Sequence, residues 1–255
     1  MRLFKFTRSA IFTSIASITS TLACAQSNLS FDGPYVGAFV GSSHTSIKEQ
    51  DMSWSNSATN GTATENSNVN AKGSVTGITY GYVSRLSSTA RWISGIELSA
   101  SFPQESIIGY AISPASVELN PIQSNTQIKS LFTIKPKMGY LVNQETMLYG
   151  TAGLAIAQVN RTLTQLPGEA SGTLLSMNSQ TSKTENRLGY VLGMGIERVI
   201  TENISLKFEF NYVDFGTQDF IHDKTIPVEG NPANRISQSL KMTNTSTSLG
   251  LNYRF

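Results

Sequence analysis

The chain has 255 residues, of which 14% are charged, with a formal net charge of +2 and a single cysteine. One cysteine excludes an internal disulfide framework, and beyond residue 25 no apolar run reaches the roughly 18 residues that a membrane-spanning helix requires. Three N-terminal cations, Arg2, Lys5 and Arg8, carry the basic balance; without them the net charge becomes −1, and the electrostatic footprint of a nucleic-acid binder disappears.

Those cations open the first recognisable segment. An apolar run from Ala10 to Leu22 and the small residues Ala23-Cys24-Ala25 follow. Together they read as a secretory signal over residues 1–25, cleaved between Ala25 and Gln26, with residues 26–255 as the exported domain. Acylation of Cys24 would need a Leu followed by a small residue ahead of it, and Thr21 and Leu22 stand there instead. After cleavage the chain holds no cysteine.

Eight strands are expected in chain order: Pro34–Ser43, Ser74–Leu86, Ala90–Phe102, Gln127–Val142, Met147–Val159, Asn186–Ile200, Asn203–Phe215 and Met242–Phe255. Each is about long enough to cross a bilayer as a tilted strand. Ser87–Thr89, Asn143–Thr146 and Thr201–Glu202 are tight turns, whereas residues 44–73, 103–126, 160–185 and 216–241 are long and rich in Ser, Thr, Asn, Gln and Pro. A soluble sandwich does not sort short and long connections into alternate positions. An eight-stranded antiparallel up-and-down transmembrane barrel, all-β, with short periplasmic turns and four long external loops, does.

The period-two alternation assigns the faces. In the third strand Trp92, Ile96, Leu98, Ala100 and Phe102 point to lipid and Gly95, Glu97, Ser99 and Ser101 point inward. In the fourth, Ile128, Phe132, Ile134, Met138 and Tyr140 are expected outside, with Lys129, Lys135 and Lys137 inside. The sixth places Leu188, Tyr190, Leu192, Met194 and Ile196 outside and Glu197 inside; the seventh places Ile204, Leu206, Phe208, Phe210 and Tyr212 outside and Lys207 and Glu209 inside. A Lys or Arg on the lipid face near the midplane would cost about 2–4 kcal/mol. The inward set Glu97, Lys135, Lys137, Glu197, Lys207 and Glu209 is therefore expected to form a lumen ionic network that closes a narrow barrel. Glu197 should face Lys207 across the short turn, and Glu97 should lie level with Lys135. A wider barrel would leave the same residues solvated.

Aromatic girdles are expected from Tyr35, Trp92, Phe102, Tyr140, Tyr149, Tyr212, Phe215, Tyr253 and Phe255. In the first strand Val36, Ala38 and Val40 form an equally good outer face, which leaves Tyr35 and Phe39 open. Pro136 lies inside the fourth strand, where a closed barrel has no edge for a missing N–H, and so marks a bulge or a shifted register. In the eighth strand Leu249, Leu251, Tyr253 and Phe255 form the outer set, opposite Met242, Asn244, Ser246, Ser248, Gly250, Asn252 and Arg254.

Several stretches in this order resemble the small outer-membrane barrels of the opacity-protein and outer-membrane-protein-A-like class, especially the porin-family surface antigens of alpha-proteobacteria. They are Gly33-Pro-Tyr-Val-Gly-Ala-Phe-Val-Gly41, Gly95-Ile-Glu-Leu98, Lys135-Pro-Lys-Met-Gly-Tyr140, Gly189-Tyr-Val-Leu-Gly-Met-Gly-Ile-Glu197, Lys207-Phe-Glu-Phe-Asn-Tyr-Val-Asp-Phe-Gly216 and Tyr253-Arg254-Phe255. Where such relatives tend to carry Arg in the fourth strand, this chain has Lys135 and Lys137, which keep the charge without bidentate pairing. The resemblance implies integral location in the outer membrane of a Gram-negative bacterium. It also implies that Leu249, Leu251, Tyr253 and Phe255 serve as the assembly signal. Expected partners are outer-membrane lipid and lipopolysaccharide, the barrel-assembly machinery and periplasmic chaperones, and host surface molecules or haem at the loops; no nucleic acid is expected.

Candidate chemistry is sparse. His44-Thr45-Ser46 is similar to the His-x-Ser pair of lipid A deacylases, yet it lies at the end of the first strand, whereas that motif comes later in its barrel. His222, beside Asp223 and near Asp219, could supply one arm of a metal or haem site, but the chain has two histidines and metal sites need three or four ligands. Asp214 reads as a strand end. The expectation is a non-enzyme without cofactor or metal, with an envelope-structural or surface-interaction role of adhesion or antigen type. The alternatives are a narrow low-conductance porin and a barrel that binds haem or another ligand through its loops.

Overall fold

The computed structural model describes residues 31–55, 60–63, 67–87, 90–104, 107–111, 122–165, 168–170, 173–175, 180–222 and 235–255. The signal segment 1–25 and Asp223 lie outside the described residues. Alternating side chains build eight long strands: Gly33–Ser55, Ser67–Arg85, Trp92–Gln104, Ile122–Leu141, Thr146–Gln165, Gln180–Val199, Ile204–His222 and Arg235–Arg254. Each pairs antiparallel with the next, and the eighth returns to the first from Tyr35↔Arg254 to Ser55↔Arg235. That last pairing removes both sheet edges, so every strand has a neighbour on each side.

All eight strands run farther outward than the alternation of apolar residues suggests, the sixth beginning at Gln180 instead of Asn186 and the third ending only two residues later, at Gln104. The first continues from Ser43 to Ser55, the fifth from Val159 to Gln165, and the seventh from Phe215 to His222. The second, fourth and eighth begin at Ser67, Ile122 and Arg235. These extensions carry Ser, Thr, Asn and Gln on both faces and so lack the polarity contrast that marks a half-buried strand; the backbone ladder sustains them. Short pieces at Asn60–Ala63 and Ile107–Ala111 pair with the first and fourth strands, and Gly168–Ala170 pairs with Thr173–Leu175.

Two irregularities correct the sequence reading. A register shift between Ile128 and Ser130 puts Ile128 inside, 3% exposed, and turns Lys129 outward. At Pro136 there is no bulge: the pairing with the third strand is continuous through Ile96↔Pro136, and that with the fifth resumes in the same register after skipping 135 and 136. The missing N–H therefore faces the fifth strand. A second shift, between Asp214 and Thr217, follows the last outward aromatic of the seventh strand.

Outside, an apolar belt circles the barrel. On the fifth, sixth and seventh strands it comprises Leu148, Leu154 and Ile156, then Tyr190, Leu192, Met194 and Ile196, then Ile204, Leu206, Phe208 and Phe210, all exposed. On the first and eighth strands it ends sooner. Val36 and Val40 give way to Ser42, His44 and Ser46, while Leu249, Leu251 and Tyr253 give way to Thr247, Thr245 and Thr243. Trp92 packs edge-on to Tyr140 at 5.2 Å and Tyr253 edge-on to Phe255 at 5.4 Å, both on the outer wall near the short turns. Tyr35, Tyr149 and Phe215, expected in the girdles, are instead buried inside. Parity explains all three: Val36, Ala38 and Val40 take the outer face of the first strand, Leu148 that of the fifth, and Phe215 shares the inward phase of Lys207, Glu209 and Val213.

The interior is filled. Near the short turns Phe31, Tyr35, Val83, Ile93, Leu141, Met147, Tyr149 and Val199 form one apolar layer. Toward the long connections Ile47, Ile128, Leu131, Ala155, Ala157, Val159, Val191, Val213, Phe215, Leu240 and Met242 form another. Full burial of a large apolar side chain contributes about 1.5–3 kcal/mol, so each layer is a stable plug.

Candidate functional site

Between the two apolar layers lies a slab of charge. The third, fourth, sixth and seventh strands aim Glu97, Lys135, Lys137, Glu197, Lys207 and Glu209 inward, each at most 3% exposed. All six residues expected in the network are present and in contact. Glu97 is its hub: Lys135 lies 3.0 Å from Oε1, Lys207 3.1 Å and Lys137 3.9 Å from Oε2, and the Tyr35 hydroxyl donates to Oε2 at 2.8 Å. Glu209 accepts from Lys135 at 2.7 Å, from the Tyr149 hydroxyl at 2.7 Å and from the Asn211 amide at 2.7 Å.

Glu197 accepts from Lys137 at 3.0 Å, from Arg254 and Ser205 at 2.6 Å each, and from Asn252 at 2.8 Å. Glu197 and Lys207 stand opposite in register, as do Glu97 and Lys135. Of these two pairs, Glu97 and Lys135 are in direct ionic contact, while Lys207 reaches across the lumen to Glu97 and lies 3.5 Å from Glu209. A barrel interior is narrow enough for such cross-lumen contacts, and they outweigh neighbour-strand pairing.

Sequence reasoning left out several members. Arg254, buried and 2.6 Å from Glu197, adds a fourth cation to three carboxylates. The missing signal was available, because Arg254 belongs to the inner set of the eighth strand by parity alone. Tyr35 and Tyr149 add hydroxyl donors, and Tyr149 also offers its ring face to Lys137 at 3.9 Å. Their rings lie across Gly81 and Gly195, where any Cβ would collide with them, so glycine is required there. The two apolar layers were not read at all.

Other candidates dissolve into structure. Asp214 points to the outer wall, where Tyr190 and Tyr212 donate to it at 3.1 and 3.4 Å and the Gly216 N–H at 2.7 Å. That cage satisfies a carboxylate beside the belt. His44 lies on the outer face of the first strand, opposite Lys72 and Thr245, while Thr45 points inward. No group of three or more metal-ligating side chains occurs among the described residues.

The family model described as outer membrane protein beta-barrel domain matches residues 12–255. The 31 kDa outer-membrane immunogenic protein of Brucella melitensis is 27% identical over 265 residues, covering 97% of this chain and all of that protein. A 22 kDa outer membrane protein of Rhizobium leguminosarum is 33% identical over 88 residues, 34% of each chain. Among solved structures, the outer membrane protein OprG from Pseudomonas aeruginosa superposes with a TM-score of 0.50 at 14% identity, covering 88% of this chain and 96% of that one, a likeness of fold alone.

Proposed function

From the premise that this chain belongs to the outer membrane protein beta-barrel domain family and is a barrel of the outer membrane, we propose that it is a closed, non-enzymatic barrel that displays its long external connections for surface interaction. The observation that carries this reading is the filled interior: an ionic slab held between two apolar plugs. A hydrated pore needs a continuous polar path, and both plugs interrupt one. Refolded protein in a planar bilayer should give no steady current. Stable open events at every insertion would refute the closed-barrel reading in favour of a narrow porin.

The relative from Brucella is named for its immunogenicity, which supports a role for exposed parts of this chain as an antigen or contact surface. The outward set Leu249, Leu251, Tyr253 and Phe255 is proposed as the segment read by the assembly machinery; it is exposed on the outer wall. Phe255→Ala should slow appearance of the folded form in the outer membrane while leaving the unfolding midpoint of assembled protein unchanged. Wild-type assembly kinetics in that variant would sink this assignment.

A further inference from the structure

Above the belt, the outer wall is not uniform. On the fourth, fifth and sixth strands the outward positions read Gln123, Asn125 and Gln127, then Asn160 and Thr162, then Ser182, Thr184 and Asn186. Their amides and hydroxyls bond to one another, as Asn160 does to Ser182 at 3.1 Å and to Thr184 at 2.9 Å, and Lys129 is the cation at their lower margin. Across the barrel, on the eighth, first and second strands, the outward positions include Lys241, Lys48 and Lys72, all exposed.

Lys48 and Lys241 are direct partners across the ladder, and Lys72 is the direct partner of His44, four positions below Lys48. Directly opposed side chains of an antiparallel pair lie about 5 Å apart at Cβ, and like charges there are destabilising. None of the three ammonium groups is in an ion pair among the described residues. Asp219, the acid described on the adjoining part of the seventh strand, takes the Ser239 hydroxyl at 2.5 Å. Immediately beneath the lysines, where the apolar belt ends early, the wall carries the hydroxyls of Ser42, Ser46, Ser74, Thr243, Thr245 and Thr247.

We infer that this flank is a binding site for the phosphorylated headgroup of an outer-leaflet glycolipid, with Lys48 and Lys241 sharing one phosphate and Lys72 and the hydroxyl strip holding the sugar-phosphate below. Three observations converge on an anionic lipid. The lysines stand at the upper margin of the membrane belt, where headgroups lie. An anion between Lys48 and Lys241 converts their repulsion into a bridge. On the eighth and first strands the hydroxyl strip begins right after Leu249 and Val40, at positions where the apolar set of the fifth and sixth strands still continues to Ile156 and Leu188, so the partner there is polar. The uncharged amide ladder across the barrel shows that solubility above the belt does not require lysines.

The test uses full-length protein in nanodiscs containing either a bisphosphorylated glycolipid or its enzymatically dephosphorylated form, with bound lipid counted by native mass spectrometry. Wild type should retain the phosphorylated lipid at least about tenfold better than the dephosphorylated one. Lys48→Gln/Lys72→Gln/Lys241→Gln should abolish that preference, and Lys129→Gln, on the opposite flank, should keep it. A second variant guards against a folding artefact: Lys48→Glu places a carboxylate opposite Lys241, so it should raise the unfolding temperature in lipid-free micelles while lowering glycolipid retention. Retention of the preference by the triple variant, equal retention of the dephosphorylated lipid, or complete displacement by millimolar inorganic phosphate would each overturn the assignment.

Discussion

Glu97 shows how one side chain organises the interior. It meets three lysines and a tyrosine hydroxyl, and it is fully buried, so the carboxylate compensates amines that have no water to turn to. Glu97→Ala should therefore leave Lys207 and Lys135 leaning on Glu209 alone and lower barrel stability by about 3–5 kcal/mol, the cost of breaking a buried pair. Urea unfolding in liposomes, followed by the mobility shift of unheated samples on gels, measures this; an unchanged midpoint would show that the network is solvated. At this scale parity and charge together were legible for six of the seven charged members; Arg254 shared the inward phase but was not counted, and Lys129, placed inside by the same alternation, lies outside because of the register shift beside it. Tyr149 was misplaced and Tyr35 left open because an aromatic near a strand end suits a girdle and a lumen equally well; the parity of Leu148 and Val36 and the glycines Gly81 and Gly195 facing the two rings separate the cases.

Strand extent was the least legible property. Hydrophobic alternation ends where the outer wall passes from apolar to polar, while hydrogen-bonded pairing continues, as in the first strand from Ser43 to Ser55. The bulge at Ile128 was invisible because Ile128 and Lys129 satisfy either phase over a short window. Pro136 drew attention for the right reason, a missing donor, but the strand absorbs the gap without changing register. Pro136→Ala should restore one N–H toward the fifth strand and stabilise the barrel by about 0.5–1.5 kcal/mol, the usual net value of such a bond. A midpoint that falls instead would mean that the ring's outward packing outweighs the bond.

At the scale of the whole molecule, the barrel was legible from the regular exchange of short and long connections, and its plugs were not. Val191 and Val213 sit beside outward Tyr190, Leu192 and Tyr212, so those stretches are apolar on both faces and show no period. The absence of current expected in a bilayer rests on these plugs as much as on the ions, because charge alone can hydrate. The outward extensions have a further effect on how the cell is met from outside. From Lys48, at the upper margin of the belt, to Ser55 the first strand rises at about 3.3 Å per residue with a tilt near 40°, which lifts its tip roughly 18 Å above the belt. The barrel thus ends in a stiff collar made by backbone pairing, whose Ser, Thr and Asn side chains can be exchanged without loss of register. A macromolecule that approaches the barrel from this end meets that rim before it meets lipid, and what holds the rim in place is the backbone ladder rather than any one side chain.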